Sequence, residues 1–142
     1  MPSFTQRTSN LRQSGPLVAI RLAPANSYLE DIGASLLNNK YVEVSAMIDT
    51  GANRSVIQQG IASQLNLNPV GSTLLFTPSI DNSLCYLFDV QMIFPNNVIF
   101  QDIAVVEAPL QGQNIQCLIG RDVLQHGLLV YNGYDNAFTL SF

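Results

Sequence analysis

Ser45-Ala46-Met47-Ile48-Asp49-Thr50-Gly51-Ala52-Asn53-Arg54-Ser55-Val56-Ile57 is the stretch on which the reading of this chain turns. An acid stands at the end of an apolar run and is followed at once by Thr and Gly. The run before it, Tyr41 to Ile48, carries β-branched and aromatic residues near alternate positions, the pattern of a half-buried strand. Asp49-Thr50-Gly51-Ala52 then reads as a tight turn. Gly51 permits backbone angles and close approaches that a side chain bars, and its amide can donate to the carboxylate. Thr50 offers a short hydroxyl suited to a fixed hydrogen bond. Met47 and Ile48 give the acid an apolar, water-excluding setting.

Amide hydrolysis by water needs a base to take a proton from the water and an acid to protonate the carbonyl oxygen or the leaving nitrogen. Two close carboxylates sharing one proton do both, because their mutual repulsion drives their proton affinities apart and makes them one titrating unit. This chain has a single acid–Thr/Ser–Gly triplet in 142 residues. If the chemistry holds, the second carboxylate comes from another molecule, and a twofold homodimer supplies it by setting Asp49 against its own copy. Taken alone, Asp-Thr-Gly is also an ordinary turn sequence.

Outward from this stretch the chain reads as mainly β. Residues 1–15 are polar and read as a flexible tail, and 16–142 as one domain. Strands are expected at Pro16–Leu22, Tyr41–Ile48, Ser72–Thr77, Leu84–Phe94, Val98–Val106, Ile115–Ile119, Leu128–Tyr131 and Ala137–Phe142. The stretch 24–39 is expected to be a long loop. Ile57, Ile61 and Leu65 recur four apart and predict a helix over Gln58–Leu65, stopped by Asn66 and Pro69. Turn residues at 78–83 predict a hairpin, Pro95-Asn96-Asn97 a second turn, and Gln111–Asn114 a loop. Arg121–His126 reads as a short helix with Gly127 past its end. Many short strands with one or two short helices imply a closed or sandwiched sheet.

Composition narrows the classes. Hydrophobic residues make up 47% and charged residues 11%, which favours a packed globule over disorder. The net charge of −4 and six scattered Lys and Arg leave no basic patch, so no nucleic-acid partner is expected. The N-terminal stretch lacks the apolar core of a signal peptide, and no run is long enough to cross a bilayer, so the expectation is a cytoplasmic protein with no membrane partner. Cys85 and Cys117 lack CxxC spacing; buried reduced thiols and a disulfide both remain open. No HExxH, P-loop or GxGxxG is present, so no metal or cofactor is expected. His126 has no nucleophile motif beside it and reads as structural, Asp122 as a complement to a helix dipole, and Asp81, Asp89 and Asp102 as surface acids. Tyr86 and Phe88, alternating with Leu87, are expected to pack a sheet.

The segment SAMIDTGANRSVI resembles the active-site segment of retropepsin-like aspartic proteases: apolar strand, Asp-Thr-Gly-Ala, a small hydroxyl residue and two aliphatics. About seventy residues on, Leu118-Ile119-Gly120-Arg121-Asp122-Val123-Leu124 resembles the family's second element, two apolars and Gly followed by Arg and a short helix. The C-terminal FTLSF resembles the strand with which such subunits interleave at their dimer interface. The resemblance implies a closed β-barrel subunit with a flap hairpin, active as a homodimer on polypeptide substrates. It implies that Asp49 is the catalytic acid, supported by Thr50, Gly51, Ala52 and Arg121. Gly51, Ala52, Thr77, Ile80 and Leu118 would border an extended peptide beneath the flap, a β-addition mode of recognition. Asn53 stands where viral members often carry an acid, so a salt bridge to Arg121 is expected to be weakened or replaced by a neutral hydrogen bond. The presumed flap has no glycine. The alternative from another class is a non-catalytic dimerisation or peptide-binding module of the same fold; a third is a monomeric β-barrel binder.

Overall fold

The computed structural model describes residues 1–25, 40–77, 80–110 and 114–142, with the side chains of residues 76, 77 and 80–82 outside that set. From residue 26 on, the loop expected over 24–39 lies outside the described residues, as do the hairpin tip at 78–79 and most of the loop at 111–114. The described strands are β1 (Ser3–Arg7), β2 (Leu17–Pro24), β3 (Val42–Ile48), β4 (Val56–Gln58), β5 (Gly71–Thr77), β6 (Ile80–Ile93), β7 (Ile99–Ala108), β8 (Cys117–Ile119), β9 (Leu128–Asn132) and β10 (Ala137–Ser141). The described helices are single turns: α1 (Leu11–Ser14), α2 (Ile61–Gln64) and α3 (Arg121–Leu124).

Alternation makes the strands. Val44, Ala46 and Ile48 of β3 are buried, Ser45 and Met47 between them are half-buried, and Glu43 just before them is exposed. On β2, Val18, Ile20 and Leu22 point inward and Ala19 and Arg21 outward. Arg21 covers the Tyr41 ring at 5.1 Å, a cation–π contact at the surface. Seven strands run in the order β2-β3-β8-β4-β7-β6-β5, and β2 also pairs with β6, from Arg21↔Ile93 to Pro24↔Val90. That pairing closes six strands into a barrel and leaves β5 outside the ring, carried on β6. Inside sit the buried side chains of β2 and β3 with Val90, Met92, Val105 and Ile119. No helix among the described residues is long and apolar enough to cross a membrane.

A second, three-stranded sheet has the order β1-β10-β9. Phe138 and Leu140 of β10 are fully buried. An aromatic cluster docks this sheet on the barrel: Phe94 and Phe142 have ring centroids 4.9 Å apart, Phe100 and Phe142 4.8 Å. Such pairs add roughly 0.5–1.5 kcal/mol each beyond simple burial.

Several expectations are corrected. Residues 1–15 are no tail: Ser3–Arg7 is a strand in register with Ala137–Ser141, and α1 follows, capped by Asn10, whose side chain accepts from the Gln13 amide. The sequence hides β1 because only Phe4 of its five residues is a hydrophobe, and its partner is 134 residues away. The helix expected over Gln58–Leu65 begins only at Ile61. Ile57 is buried in β4, which pairs with β7 and β8, so a strand feeding a helix mimicked the four-residue repeat. The hairpin turn is shorter than 78–83, because β6 already pairs at Ile80 with Thr77. Phe88 packs inward as expected, but Tyr86 is exposed. Within the single chain, FTLSF pairs with β1 on one side and β9 on the other. Asn66 ends α2 as expected, in the left-handed conformation at φ 55°. Cys85 and Cys117 are buried and free, which settles their alternatives in favour of reduced thiols.

Candidate active site

Asp49 is the first residue beyond β3, and β3 fixes it from both sides. Antiparallel β2 and parallel β8 flank β3, with Ile48 N–H donating to the Pro16 carbonyl and Asp49 N–H to the Ile119 carbonyl, at 3.0 and 2.9 Å. The turn then folds back on itself. Ala52 N–H donates to the Asp49 carbonyl at 3.2 Å, and Gly51 N–H donates to Asp49 Oδ1 at 2.9 Å. The carboxylate is thus oriented by the backbone two residues on, half-buried at the lip of the turn, with Thr50 and Gly51 exposed beside it.

Glycine at 51 answers to space. Its φ lies outside the left-handed region, and a Cβ there would come within 3.1 Å of Asp49 Oδ1. At Gly120 the requirement is harder: a Cβ would sit 2.7 Å from the carbonyl carbon and oxygen of Arg54 and 3.0 Å from the Ala52 oxygen. That close approach lets α3 dock against the turn.

Arg121 opens α3 and holds the turn twice. Its amide donates to the Ala52 carbonyl at 2.8 Å, and Nη1 donates to the Thr50 carbonyl at 2.7 Å. The guanidinium therefore takes a backbone oxygen, and the expected Asn53–Arg121 hydrogen bond is replaced by this one; Asn53 stands exposed. Beneath the turn, Ser55 is fully buried and acts as a hub. Its hydroxyl donates to Asp122 Oδ1 at 2.8 Å and accepts from Gly120 N–H at 3.0 Å, while its amide donates to Asp122 Oδ2 at 2.9 Å. Asp122 Oδ1 also accepts from the Val123 amide, as a first-turn acid does, but its main partner is Ser55. Sequence reasoning quoted Ser55 in the motif without a role and gave Asp122 only to the helix dipole. The available signal was the pairing of a buried hydroxyl with an acid two residues past LIG.

Leu118 of β8 lies between Met47 and Val56 in register. It packs on a small apolar cluster that includes Val56, Val106 and Ala108 with Leu75, Cys85 and Leu87 of the β5–β6 hairpin. The inner face of the hairpin is therefore seated over the same strand end that carries the Asp49 turn. Its outer face leaves Leu74, Leu84 and Tyr86 exposed. The backbones of Thr77 and Ile80 pair near the hairpin tip, and their side chains lie outside the described residues.

Burial pushes the Cys117 thiol up to about 12, helped by the charge of Asp122, and burial also raises Cys85. Both thiols are poor nucleophiles at neutral pH. His126 is exposed with its ring against Phe100, centroids 5.9 Å apart. It lines an open cleft of about 400 Å³ with Asn53, Arg54, Asp102 and Asp122. Among the described residues no group of three His, Cys, Asp or Glu is arranged to hold a metal.

A family model described as "gag-polyprotein putative aspartyl protease" matches residues 35–126, which span both the Asp49 turn and α3. The chain belongs to that family. The fold of this retropepsin-like protein is shared with solved structures at low identity. A retropepsin-like aspartic protease from Rickettsia conorii aligns over 99% of this chain and 93% of its own, at 14% identity and a TM-score of 0.54. The EIAV protease, solved with the inhibitor HBY-793, aligns over 84% of this chain and 92% of its own, at 17% identity and a TM-score of 0.57. A comparison with curated protein sequences gave no match.

Proposed function

We propose that this retropepsin-like chain is an aspartic endopeptidase that works as a homodimer, with the Asp49 carboxylates of two copies sharing one proton around a single water. The ionised Asp49 takes a proton from the water as its oxygen attacks the peptide carbonyl carbon. The protonated partner's Asp49 donates to the carbonyl oxygen. A proton then passes to the amide nitrogen and the C–N bond breaks, with no covalent enzyme intermediate. Thr50, Gly51 and Ala52 form the turn, Arg121 braces it, and Leu118 contributes an apolar wall for a substrate side chain. The β5–β6 hairpin, with Thr77 and Ile80 near its tip, covers a peptide bound in extended form.

The observation that carries this reading is one backbone-oriented carboxylate per chain, at the mouth of a turn braced on both sides, in a chain with no second such triplet. The test is digestion of a peptide library from acidic to neutral pH, with and without an aspartic-protease inhibitor, beside Asp49→Asn. The asparagine keeps an oxygen for the Gly51 amide, so the fold and self-association survive. Cleavage should fall by about 10³-fold or more, in line with the loss of acid–base catalysis. Inhibitor-sensitive cleavage that persists in Asp49→Asn would falsify the assignment. Peptide binding without cleavage would identify a non-catalytic module.

A further inference from the structure

Gln58 closes β4, between two strands that lead to the apolar wall beneath the hairpin. It lies opposite Ala108 of parallel β7, while Val56 and Ile57 lie opposite Leu118 and Cys117 of antiparallel β8. Strand alternation puts Gln58 on the same face as Val56. That face is apolar: Val56, Cys85, Val106 and Ala108 are buried together, and Leu110 and Leu118 pack against them. A polar side chain on such a face needs a partner.

The chain leaves β7 at Ala108 and enters β8 at Cys117. Gln58 holds it on both sides of that crossing. Its side-chain Oε1 accepts from Leu110 N–H at 2.8 Å, and its own amide donates to the Gln116 carbonyl at 2.8 Å. Gln116 is locked in turn to β3, the strand that delivers Asp49. Its amide donates to the Ser45 carbonyl at 2.9 Å, and its Oε1 accepts from Ser45 N–H at 3.0 Å. The β8 side is therefore tied by main chain to the strand of the acid. On the β7 side, Leu110 N–H lies past the ladder and takes a side-chain acceptor. A neutral hydrogen bond returns little more than the ordering of a side chain as flexible as glutamine costs, so stability is a poor account of Gln58. Its bond is directional, whereas apolar contact alone would let Leu110 slide.

We infer that Gln58 is a positioning residue for substrate selection. By fixing Leu110 N–H it sets where the Leu110 side chain stands relative to Leu118, and so the width of the apolar wall open to a substrate side chain beside the scissile bond. The inference rests on the peptidase reading above, in which Leu118 forms that wall. It adds what sets the wall's width and the substrates it favours: peptides with a large apolar residue at that position.

The test uses two peptides that differ only in Leu or Ala beside the scissile bond. Wild type should favour the leucine peptide by about 10-fold or more in kcat/KM, as extra methylenes in an apolar pocket do. Gln58→Met keeps the length and loses the acceptor. It should bring the ratio down to about twofold, through KM of the leucine peptide rather than through kcat. Gln58→Glu keeps an acceptor at the same reach and should restore the preference. The same peptides are titrated onto Asp49→Asn, with and without Gln58→Met, so that binding is read apart from cleavage. An unmoved ratio in a folded, cleaving Gln58→Met overturns the inference and leaves the peptidase reading intact. Equal losses on both peptides mean a merely structural role and overturn it too. If wild type does not cleave, yet Asp49→Asn prefers the leucine peptide and loses that preference with Gln58→Met, the inference stands and the peptidase reading falls. Equal binding of the two peptides by Asp49→Asn overturns it. If Gln58→Met misfolds, Gln58→Asn, one methylene short of Leu110 N–H, makes the same test.

Discussion

The Asp49 turn and the β5–β6 hairpin meet through Leu118 and are built in opposite ways. The turn is held by directed polar bonds, from Ile119, Gly51, Ala52 and both ends of Arg121, with Ser55 and Asp122 beneath. The hairpin rests on apolar contacts along one face, leaves its other face in solvent, and among the described residues has β5 at the edge of the sheet. Hydrogen bonds weaken steeply with distance and angle, so a lattice of them fixes atoms to within tenths of an ångström. Apolar contact is non-directional and tolerates sliding. The shared-proton role proposed for Asp49 calls for the first kind of support, and the peptide cover proposed for the hairpin is served by the second.

The sharpest way to break the contrast is Gly120→Ala. The new methyl meets the Arg54 backbone, so either the turn or α3 must move; a loss of about 3 kcal/mol in urea unfolding is expected, with cleavage falling alongside. An unchanged midpoint would mean the clamp is loose. Ser55→Ala comes next. It leaves the Gly120 N–H without its partner in a buried site and takes one of two donors from Asp122 Oδ1, at a cost of about 2 kcal/mol. Activity should drop further than stability does, because the hub positions the turn.

Cys117 probes the same floor through pH. Its thiol is held up to about 12 in the folded protein against 9.0 as its ordinary value. The raised folded value means stability is intact below pH 9 and is lost as the unfolded thiol ionises first, at about 1.4 kcal/mol per pH unit above that point. Urea midpoints between pH 8 and 10.5 for wild type and Cys117→Ala check this; equal slopes would show that the thiol sees water. The smallest effect belongs to the hairpin's outer face. Leu84→Ser should change stability by less than about 0.5 kcal/mol, and a loss above 1.5 would mean that face is packed after all.

These differences also explain what the sequence disclosed. Val44, Ala46 and Ile48, or Phe138 and Leu140, alternate within one strand, so β3 and β10 are legible from local pattern. The acid–Thr–Gly triplet announces itself because its residues are contiguous. Ser55, Gly120 and Asp122 act on one another across sixty-five residues or more, and no local periodicity marks a hub made by tertiary approach. β1 failed for the same reason: its polar residues become a strand only because β10 lies beside them. β4 failed because three residues between two covering strands are too few to show a period.

Closing the barrel joins Arg21 to Ile93, and closing the small sheet joins Ser3 to Ser141. Ribosomal synthesis delivers these partners far apart in time. The first strand made must wait, unpaired, for the last. Most of the strand pairings here are non-local, so refolding should be slow, in the range of milliseconds to seconds. A nascent chain halted before residue 137 would carry a barrel whose small three-stranded sheet does not yet exist.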